Sequence, residues 1–132
     1  MTDELIVSES AQGVASTVER LAAALRTRGV TLFATIDHAA GARAAGLQLD
    51  DEVLLVFGDP AVGTALMVAD PRAGMDLPLR MLFWSRDGVT RVGYPDPHTL
   101  ADRYRLGGEL ATLEKLRGLL EQLTTEVGAR PR

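Results

Sequence analysis

The last quarter of the chain carries one apolar stripe, and this stripe constrains the fold more than any other feature. Six aliphatic residues recur there at helical spacing: Leu110, Leu113, Leu116, Leu120, Leu123 and Val127. Residues three, four and seven apart share one side of an α-helix, so the segment predicts an amphipathic helix of about five turns. Such a helix gains its stability from packing, so the rest of the chain must provide an apolar surface for it.

A second stripe near the N-terminus has the same property. Val14, Val18, Leu21 and Leu25 are spaced by four, three and four residues and predict a helix from about 13 to 28. Either Gly13 caps this helix or Ser16 and Glu19 form a capping box one turn later. The glycine at 29 is placed to end it in a left-handed conformation.

Five runs have the composition and length of β-strands. They cover residues 4–8, 30–36, 53–57, 77–84 and 89–94. The last two are separated by Asp87-Gly88, a typical two-residue hairpin turn in which glycine accepts a positive φ at no cost. We therefore expect these two strands to pair antiparallel.

The remaining segments are shorter or less regular. The alanine-rich stretch 39–46 predicts a short helix, and Asp96-Pro97 predicts the capped start of another that runs to Leu106. Residues 61–76 contain two glycines and a proline, which is typical of a loop. The final Arg130-Pro131-Arg132 is expected to be a frayed tail.

These elements favour an α+β fold. Two long helices with one apolar stripe each need a sheet face, and strands joined by short connections favour antiparallel pairing. We predict a two-layer sandwich with a five-stranded antiparallel sheet, in β-α-β-β-β-β-α order, and both long helices on one face. A chain of 132 residues is one domain, 1–132, with its core in about 14–127.

Composition excludes several classes of function. The net charge is −4, which argues against nucleic acid as the main partner because such binding depends on basic residues. The chain has no cysteine, so disulfides, thiolate metal sites and cysteine nucleophiles are excluded. The acidic start and short apolar run at Leu5-Ile6-Val7 match neither a signal peptide nor a membrane span. We expect a cytoplasmic protein that does not bind membranes.

Several short motifs occur in a characteristic order. They are Asp37-His38-Ala39-Ala40, Ala45-Gly46-Leu47, Leu55-Val56-Phe57-Gly58-Asp59-Pro60, Leu77-Pro78-Leu79, and Tyr94 just before a proline. In this order the chain resembles the domain-of-unknown-function family numbered 302 from about Val14 to Leu123. The family usually has asparagine where this chain has Asp59.

The resemblance implies a fold and a mode of assembly but no activity. Folds in this family are similar to the half-saddle of the TATA-binding protein, and such domains tend to pair. The resemblance also adds Tyr94 to the candidate binding residues.

Asp37 and His38 are the most chemically suggestive neighbours. If the strand has ended before them, Asp37 can orient the His38 imidazole for acid–base catalysis. The alternative is that Asp37 caps the short helix that follows, a position where aspartate is favoured, while His38 fills a polar notch. We favour the structural role and keep both residues as catalytic and ligand-binding candidates.

The turn Phe57-Gly58-Asp59-Pro60 is the second candidate. Glycine there permits either a sharp strand exit or the close approach of a ligand, and these four residues join the candidate binding set. A metal site is not expected, because the two histidines, His38 and His98, belong to no ligand motif. His98 is expected to be solvated at the start of a helix. We predict no cofactor.

Two functions from different classes remain. The first is a non-enzymatic homodimeric module that binds a small ligand or a protein, with the segment from Pro60 to Pro78 lining the site. The second is an enzyme with an Asp37-His38 acid–base pair beside the Phe57-Pro60 turn.

The strand at 77–84 is apolar on both sides, which predicts a partner for the second sheet face. Leu82 and Trp84 oppose the apolar set that would face the helices. A homodimer, with Trp84 near its interface, would cover the exposed patch. Alternatively, the insertions at 39–46 and 61–76 fold over that face.

Overall fold

The computed structural model describes residues 5–131. Its regular elements are the strands β1 (Leu5–Ser10), β2 (Thr31–Asp37), β3 (Glu52–Gly58), β4 (Leu79–Arg86), β5 (Val89–Pro95) and β6 (Ala129–Pro131), and the helices α1 (Val14–Arg28), α2 (His38–Ala44), α3 (Pro60–Ala69), α4 (Leu100–Arg103) and α5 (Leu110–Glu126). Three 3₁₀ segments, at 71–76, 97–99 and 107–109, complete the fold. The predicted first strand at 4–8 is observed as β1, and Glu4 lies outside the described residues.

One antiparallel sheet has the order β2-β3-β4-β5-β1-β6. The α+β class is as predicted, but the sheet has six strands and not five. The extra strand is β6, whose Ala129 pairs with Ser10 of β1. Gly128 turns the chain back with φ +78°, and Ala129 is then buried. The predicted frayed tail is therefore wrong for Arg130 and Pro131, and Arg132 lies outside the described residues.

The core lies between the sheet and the helices α1 and α5. Alternate strand residues point to this side, among them Leu55, Phe57, Met81 and Phe83, all fully buried. Leu21 of α1 joins the same cluster. Both apolar stripes therefore pack as predicted, except that Leu110 at the start of α5 remains 56% exposed.

Local turn chemistry explains how the elements begin and end. The β4–β5 hairpin has φ +54° at Asp87 and +77° at Gly88, the two positive values of the predicted tight turn. Helix α1 begins after Gly13 without a side-chain cap, so Ser16 and Glu19 form no capping box. Gly29 ends α1 with φ +68°, as predicted.

The prediction of a loop at 61–76 is wrong. Asp59 caps α3 by accepting the Ala61 N–H at 2.9 Å, and Pro60 occupies the first turn. The same Asp-Pro signal correctly predicts the helical start at Asp96-Pro97. The helix was not predicted because the ten residues of α3 are almost all apolar and include a glycine. Without a polar side, the segment lacks the amphipathic pattern by which a surface helix is recognised.

A buried charge in the core tests this packing. Leu21→Asp places an unpaired carboxylate at a fully buried position of α1 and is expected to unfold the domain, because the cost of several kcal/mol is comparable to a total stability of about 5–15 kcal/mol. Ala23→Asp, on the exposed side of the same helix, is the matched control and should melt as the wild type does. Circular dichroism melting of both variants measures the difference in stability. A Leu21→Asp variant that folds and melts as the wild type does would contradict the assignment of Leu21 to the core.

Candidate functional site

A cavity of about 570 Å³ opens on the helix side of the sheet. Helix α3 and helix α5 face one another across it, and the end of α1, strand β2 and the start of β4 close the other sides. Its lining residues are Arg28, Val30, Phe33, Gly58, Asp59, Pro60, Val62, Gly63, Thr64, Met67, Leu77, Pro78, Leu79, Lys115, Leu116, Gly118, Leu119 and Gln122. The surface is dominated by aliphatic and aromatic carbon, as is usual for small-molecule sites.

Two glycines inside helices keep this cavity open. Gly63 of α3 and Gly118 of α5 both line it. Glycine in a helix interior costs about 1 kcal/mol relative to alanine, so each position carries an energetic cost. A Cβ at Gly118 would meet nothing within 4 Å, and one at Gly63 would make only ordinary contacts with Met67 and Leu77. No close contact requires a glycine at either position. The effect of the two glycines is therefore to leave the volume between the helices empty.

The turn after β3 forms one end of the cavity. Gly58 is buried, and a Cβ there would lie 3.5 Å from the Pro78 ring. The peptide bond between Leu77 and Pro78 is cis, and Pro78 precedes β4. The Asp59 carboxylate is already engaged as the cap of α3. This end of the cavity is therefore mostly apolar, and its one carboxylate, that of Asp59, accepts a backbone N–H.

The polar groups of the lining differ in how they are paired. Arg28 donates to both carboxylate oxygens of Glu126, at 2.5 and 3.4 Å. That hydrogen bond raises the pKa of the Arg28 guanidinium. Thr64 donates its hydroxyl to the Pro60 carbonyl at 2.6 Å. Lys115 is exposed at the rim and has no hydrogen-bond or ion-pair partner among the described residues.

A buried carboxylate holds the α3 wall in place. Asp70, directly after α3, is 5% exposed and accepts the Arg105 N–H at 2.9 Å. Arg72 adds its own N–H at 3.1 Å and two guanidinium bonds at 3.1 and 2.8 Å. The side-chain bonds from Arg72, followed by the Arg105 N–H, hold the pKa of Asp70 well below its usual range. Asp70 thus links the segment after α3 to the one after α4.

Tyr104 supports the same junction. Its hydroxyl donates to Asp76 at 2.5 Å, which raises the pKa of Tyr104. The Arg72 guanidinium lies over the Tyr104 ring, 5.8 Å from its centroid, a favourable cation–π arrangement. Arg103 pairs with Asp76 at 3.4 Å. Two carboxylates and their cations therefore join the α3 segment to the region around α4.

Comparison with known proteins identifies the family. The model of a domain of unknown function, DUF302, matches residues 6–123. This chain belongs to the DUF302 family.

Longer proteins are similar to this chain over part of their length. A Brucella suis protein named fluoride-specific ion channel FluC 1 is 44% identical over 105 residues, which are 78% of this chain and 41% of the relative. A Brucella melitensis protein named fluoride-specific ion channel FluC 2 has the same identity, with 38% of its length covered. This chain therefore spans about two fifths of the length of these relatives. Within residues 5–131, no helix is long and apolar enough to cross a membrane.

A solved structure shares the fold. The crystal structure of an uncharacterised DUF302 protein from Bacillus stearothermophilus superimposes with a TM-score of 0.75 and 18% identity. The alignment covers 96% of this chain and 97% of the other. At this identity the likeness concerns the fold.

Of the seven sequence-predicted site residues, three line the cavity of the DUF302 domain and four do not. Gly58, Asp59 and Pro60 form its end at the β3 turn. Phe57 is fully buried in the core. Tyr94 is 2% exposed between the sheet and α5, and burial raises the pKa of its hydroxyl, which is hydrogen-bonded with Thr124.

Asp37 and His38 lie away from the cavity. Asp37 pairs with Val53 at the start of β3, whereas Thr31 pairs with Gly58 at its end. Five residues of strand separate these positions by about 16 Å. Asp37 caps α2 by accepting the Ala40 N–H at 2.9 Å, and His38 is exposed at the first position of α2. The enzyme hypothesis required Asp37 and His38 to share one cleft with the Phe57-Pro60 turn. The two places lie apart and do not share one.

His98 is more organised than the expectation of a solvated side chain implied. Its Nδ1 lies 3.2 Å from Asp96 and its Nε2 lies 2.9 Å from Glu114. Arg117 also contacts Asp96, at 3.0 Å. His98 thereby connects the 3₁₀ turn at 97–99 to α5. Across residues 5–131, no group of three or more histidine, aspartate or glutamate side chains converges to hold a metal ion.

The contribution of α5 to the cavity was not predicted from the sequence. Lys115, Gly118, Leu119 and Gln122 lie on a second side of this helix, next to the predicted core stripe. Gly118 is the one signal that points there, since glycine inside a strongly periodic helix indicates a packing or functional reason.

The Asp70 linkage predicts a pH-dependent stability. A carboxylate with a lowered pKa stabilises the folded state above its unfolded pKa, and this contribution is lost as the pH falls through about 4 towards 2. Asp70→Asn should therefore melt below the wild type at pH 7, and the difference in melting temperature should shrink as the pH falls. Asp50→Asn, at an exposed loop position, is the control and should follow the wild type throughout. A gap that is constant from pH 7 to pH 2 would contradict the role of the Asp70 charge.

Proposed function

We propose that this DUF302 domain is a non-enzymatic module that binds a small, predominantly apolar molecule in the cavity between α3 and α5. The observation that carries the proposal is the open volume of about 570 Å³ bordered by Gly63 and Gly118. A volume of this size lies within the usual range for small-molecule sites. Burial of an apolar ligand there gains about 25 cal/mol for each Å² removed from water.

The ionisable lining groups favour binding over catalysis. General acid–base chemistry needs a group positioned to transfer a proton to or from the reacting atoms. Arg28 is paired with Glu126, and Asp59 accepts a backbone N–H as a helix cap. Both groups are thus engaged in structural contacts, since Arg28 joins α1 to α5 and Asp59 caps α3.

The Brucella relatives suggest a setting for such a module. Their names describe fluoride-specific ion channels, and this chain matches about two fifths of their length. We propose that the shared part is a ligand-binding domain appended to a channel, and that it does not form the ion path. An apolar cavity is a poor site for fluoride, because removing a small anion from water is costly unless several donors surround it.

We also propose that the domain forms a homodimer through the sheet face that lies opposite the helices, here called the open face. Its side chains include Leu54 and Val56 of β3 and Leu82 and Trp84 of β4, all half-buried, together with Ile36, which is 42% exposed. The segment at 60–76 packs on the helix side, where Leu66 and Ala73 join the core. This segment therefore does not cover the open face.

A second copy suits the open face for two reasons. The Trp84 ring packs against Gly93, where a Cβ would lie only 3.0 and 3.1 Å from two of its ring carbons, and this gives the open face an apolar centre. Glu52 and Arg80 lie at opposite ends of the β3–β4 pair, which places Glu52 beside Trp84 and Arg80 beside Val56. A two-fold rotation then brings Glu52 of one copy towards Arg80 of the other.

Filling the cavity tests the binding function. Gly118→Leu places a side chain in the empty volume and should abolish binding while the domain remains at least as stable, because it also removes a helix-interior glycine worth about 1 kcal/mol. Ala111→Leu, on the exposed side of α5, is the control and should bind normally. The measurement is a thermal-shift series with n-alkanols from hexanol to dodecanol and with sodium fluoride.

The wild type should gain about 2.7 kcal/mol at an alkanol concentration near 100 times its Kd, and none with fluoride. Equal shifts for wild type and Gly118→Leu would place binding elsewhere, and the absence of any shift for the whole alkanol series would contradict the function proposed.

Disruption of the open face tests the dimer. Leu82→Lys introduces a charge at its centre and should yield a folded monomer, whereas Val68→Lys, at a position 79% exposed on α3, should not change assembly. Sedimentation equilibrium at micromolar concentration should give twice the chain mass of 14.1 kDa for the wild type and the Val68 variant. A wild-type mass of one chain that does not rise with concentration would exclude the dimer.

A further inference from the structure

We infer that the ligand of the cavity is a monoanionic amphiphile, with its apolar chain between α3 and α5 and its anionic head at the Lys115 rim. This inference rests on the proposed binding function and adds the chemical class of the ligand. It follows from the charged lining residues, because two of them have partners within the chain and the third has none among the described residues.

Lys115 is a lining cation that has no hydrogen-bond or ion-pair partner within residues 5–131. It is the only lysine of the chain and stands at an exposed position of α5. Lys115 precedes Gly118 and Leu119 by three and four residues, so the three positions share one side of the helix. No described residue makes a hydrogen bond or ion pair with it. The long aliphatic stem can cover the apolar lining while the ammonium stays at the mouth.

The two other ionisable lining groups are compensated. Arg28 shares its charge with Glu126 through two hydrogen bonds. Asp59 accepts the Ala61 N–H at 2.9 Å at the N-terminus of α3, where the helix dipole favours a negative charge. Lys115 is therefore the one charged lining group with no hydrogen-bond or ion-pair partner among the described residues.

The shape of the site separates the two ends of the ligand. The interior is formed by side chains such as Val30, Val62, Leu77 and Leu119, which offer no hydrogen bonds to a charged group. An ionised head would lose its hydration there at a cost of several kcal/mol. The head therefore stays at the rim, where Lys115 provides a charge-assisted contact and water remains available.

Isothermal titration with three ligands of equal chain length tests this inference. The probes are decanoate, decanol and decylammonium, which differ only in the charge of the head. For the wild type we expect decanoate to bind about fivefold more tightly than decanol, as one partly exposed ion pair allows, and decylammonium to bind most weakly. Lys115→Gln should abolish the preference for decanoate, so that decanoate and decanol bind this variant with equal affinity. Gly118→Leu should bind none of the three.

The outcomes separate this inference from the proposed function. If decanol and decanoate bind the wild type equally, and Lys115→Gln changes neither, the cavity binds ligands but the anionic head is wrong. Tightest binding of decylammonium would assign the head contact to Asp59 and overturn the inference. If no probe binds the wild type, or all three bind Gly118→Leu unchanged, the binding function itself fails. Lys115→Arg should retain the preference for decanoate.

Discussion

Burial of α1 and α5 against one face of the sheet is the interaction on which the rest of this structure depends. Alternate residues of β3 and β4 point towards the helices, so Leu55, Phe57, Met81 and Phe83 are fully buried there. Each buried side chain of this size contributes about 1.5–3 kcal/mol, which makes this layer the main source of stability. Every other feature, including the cavity, is arranged around it.

The cavity lies beside α5, because one side of this helix packs in the core and a second side lines the open volume. Leu116 and Leu120 pack inward, while Gly118 and Leu119 face α3 across open space. The C-terminal end of α3 is fixed to the segment after α4 by the hydrogen bond from the Arg105 N–H to Asp70. A fixed wall with an unfilled gap is the physical basis for regarding this place as a binding site.

Sequence patterns predicted much of the frame and part of the site. Gly58, Asp59 and Pro60 were predicted as ligand-binding candidates and lie at one end of the cavity, because glycine and proline at a strand end change the path of the chain. Asp37 and His38 were adjacent in sequence to each other but about 16 Å from that turn in space, since they lie at opposite ends of neighbouring strands. Tyr94 and Phe57 proved to be core residues.

The sequence by itself determined the two amphipathic helices, the β4–β5 hairpin and the α+β class, because periodicity and turn chemistry are local properties of the chain. Only the tertiary structure decided the sixth strand, since three residues of β6 carry too little pattern and depend on β1 as a partner. The tertiary structure also decided that α3 is a helix and that it faces Gly118. Gly63 and Gly118 are 55 residues apart in the chain, so their meeting depends on packing between distant segments.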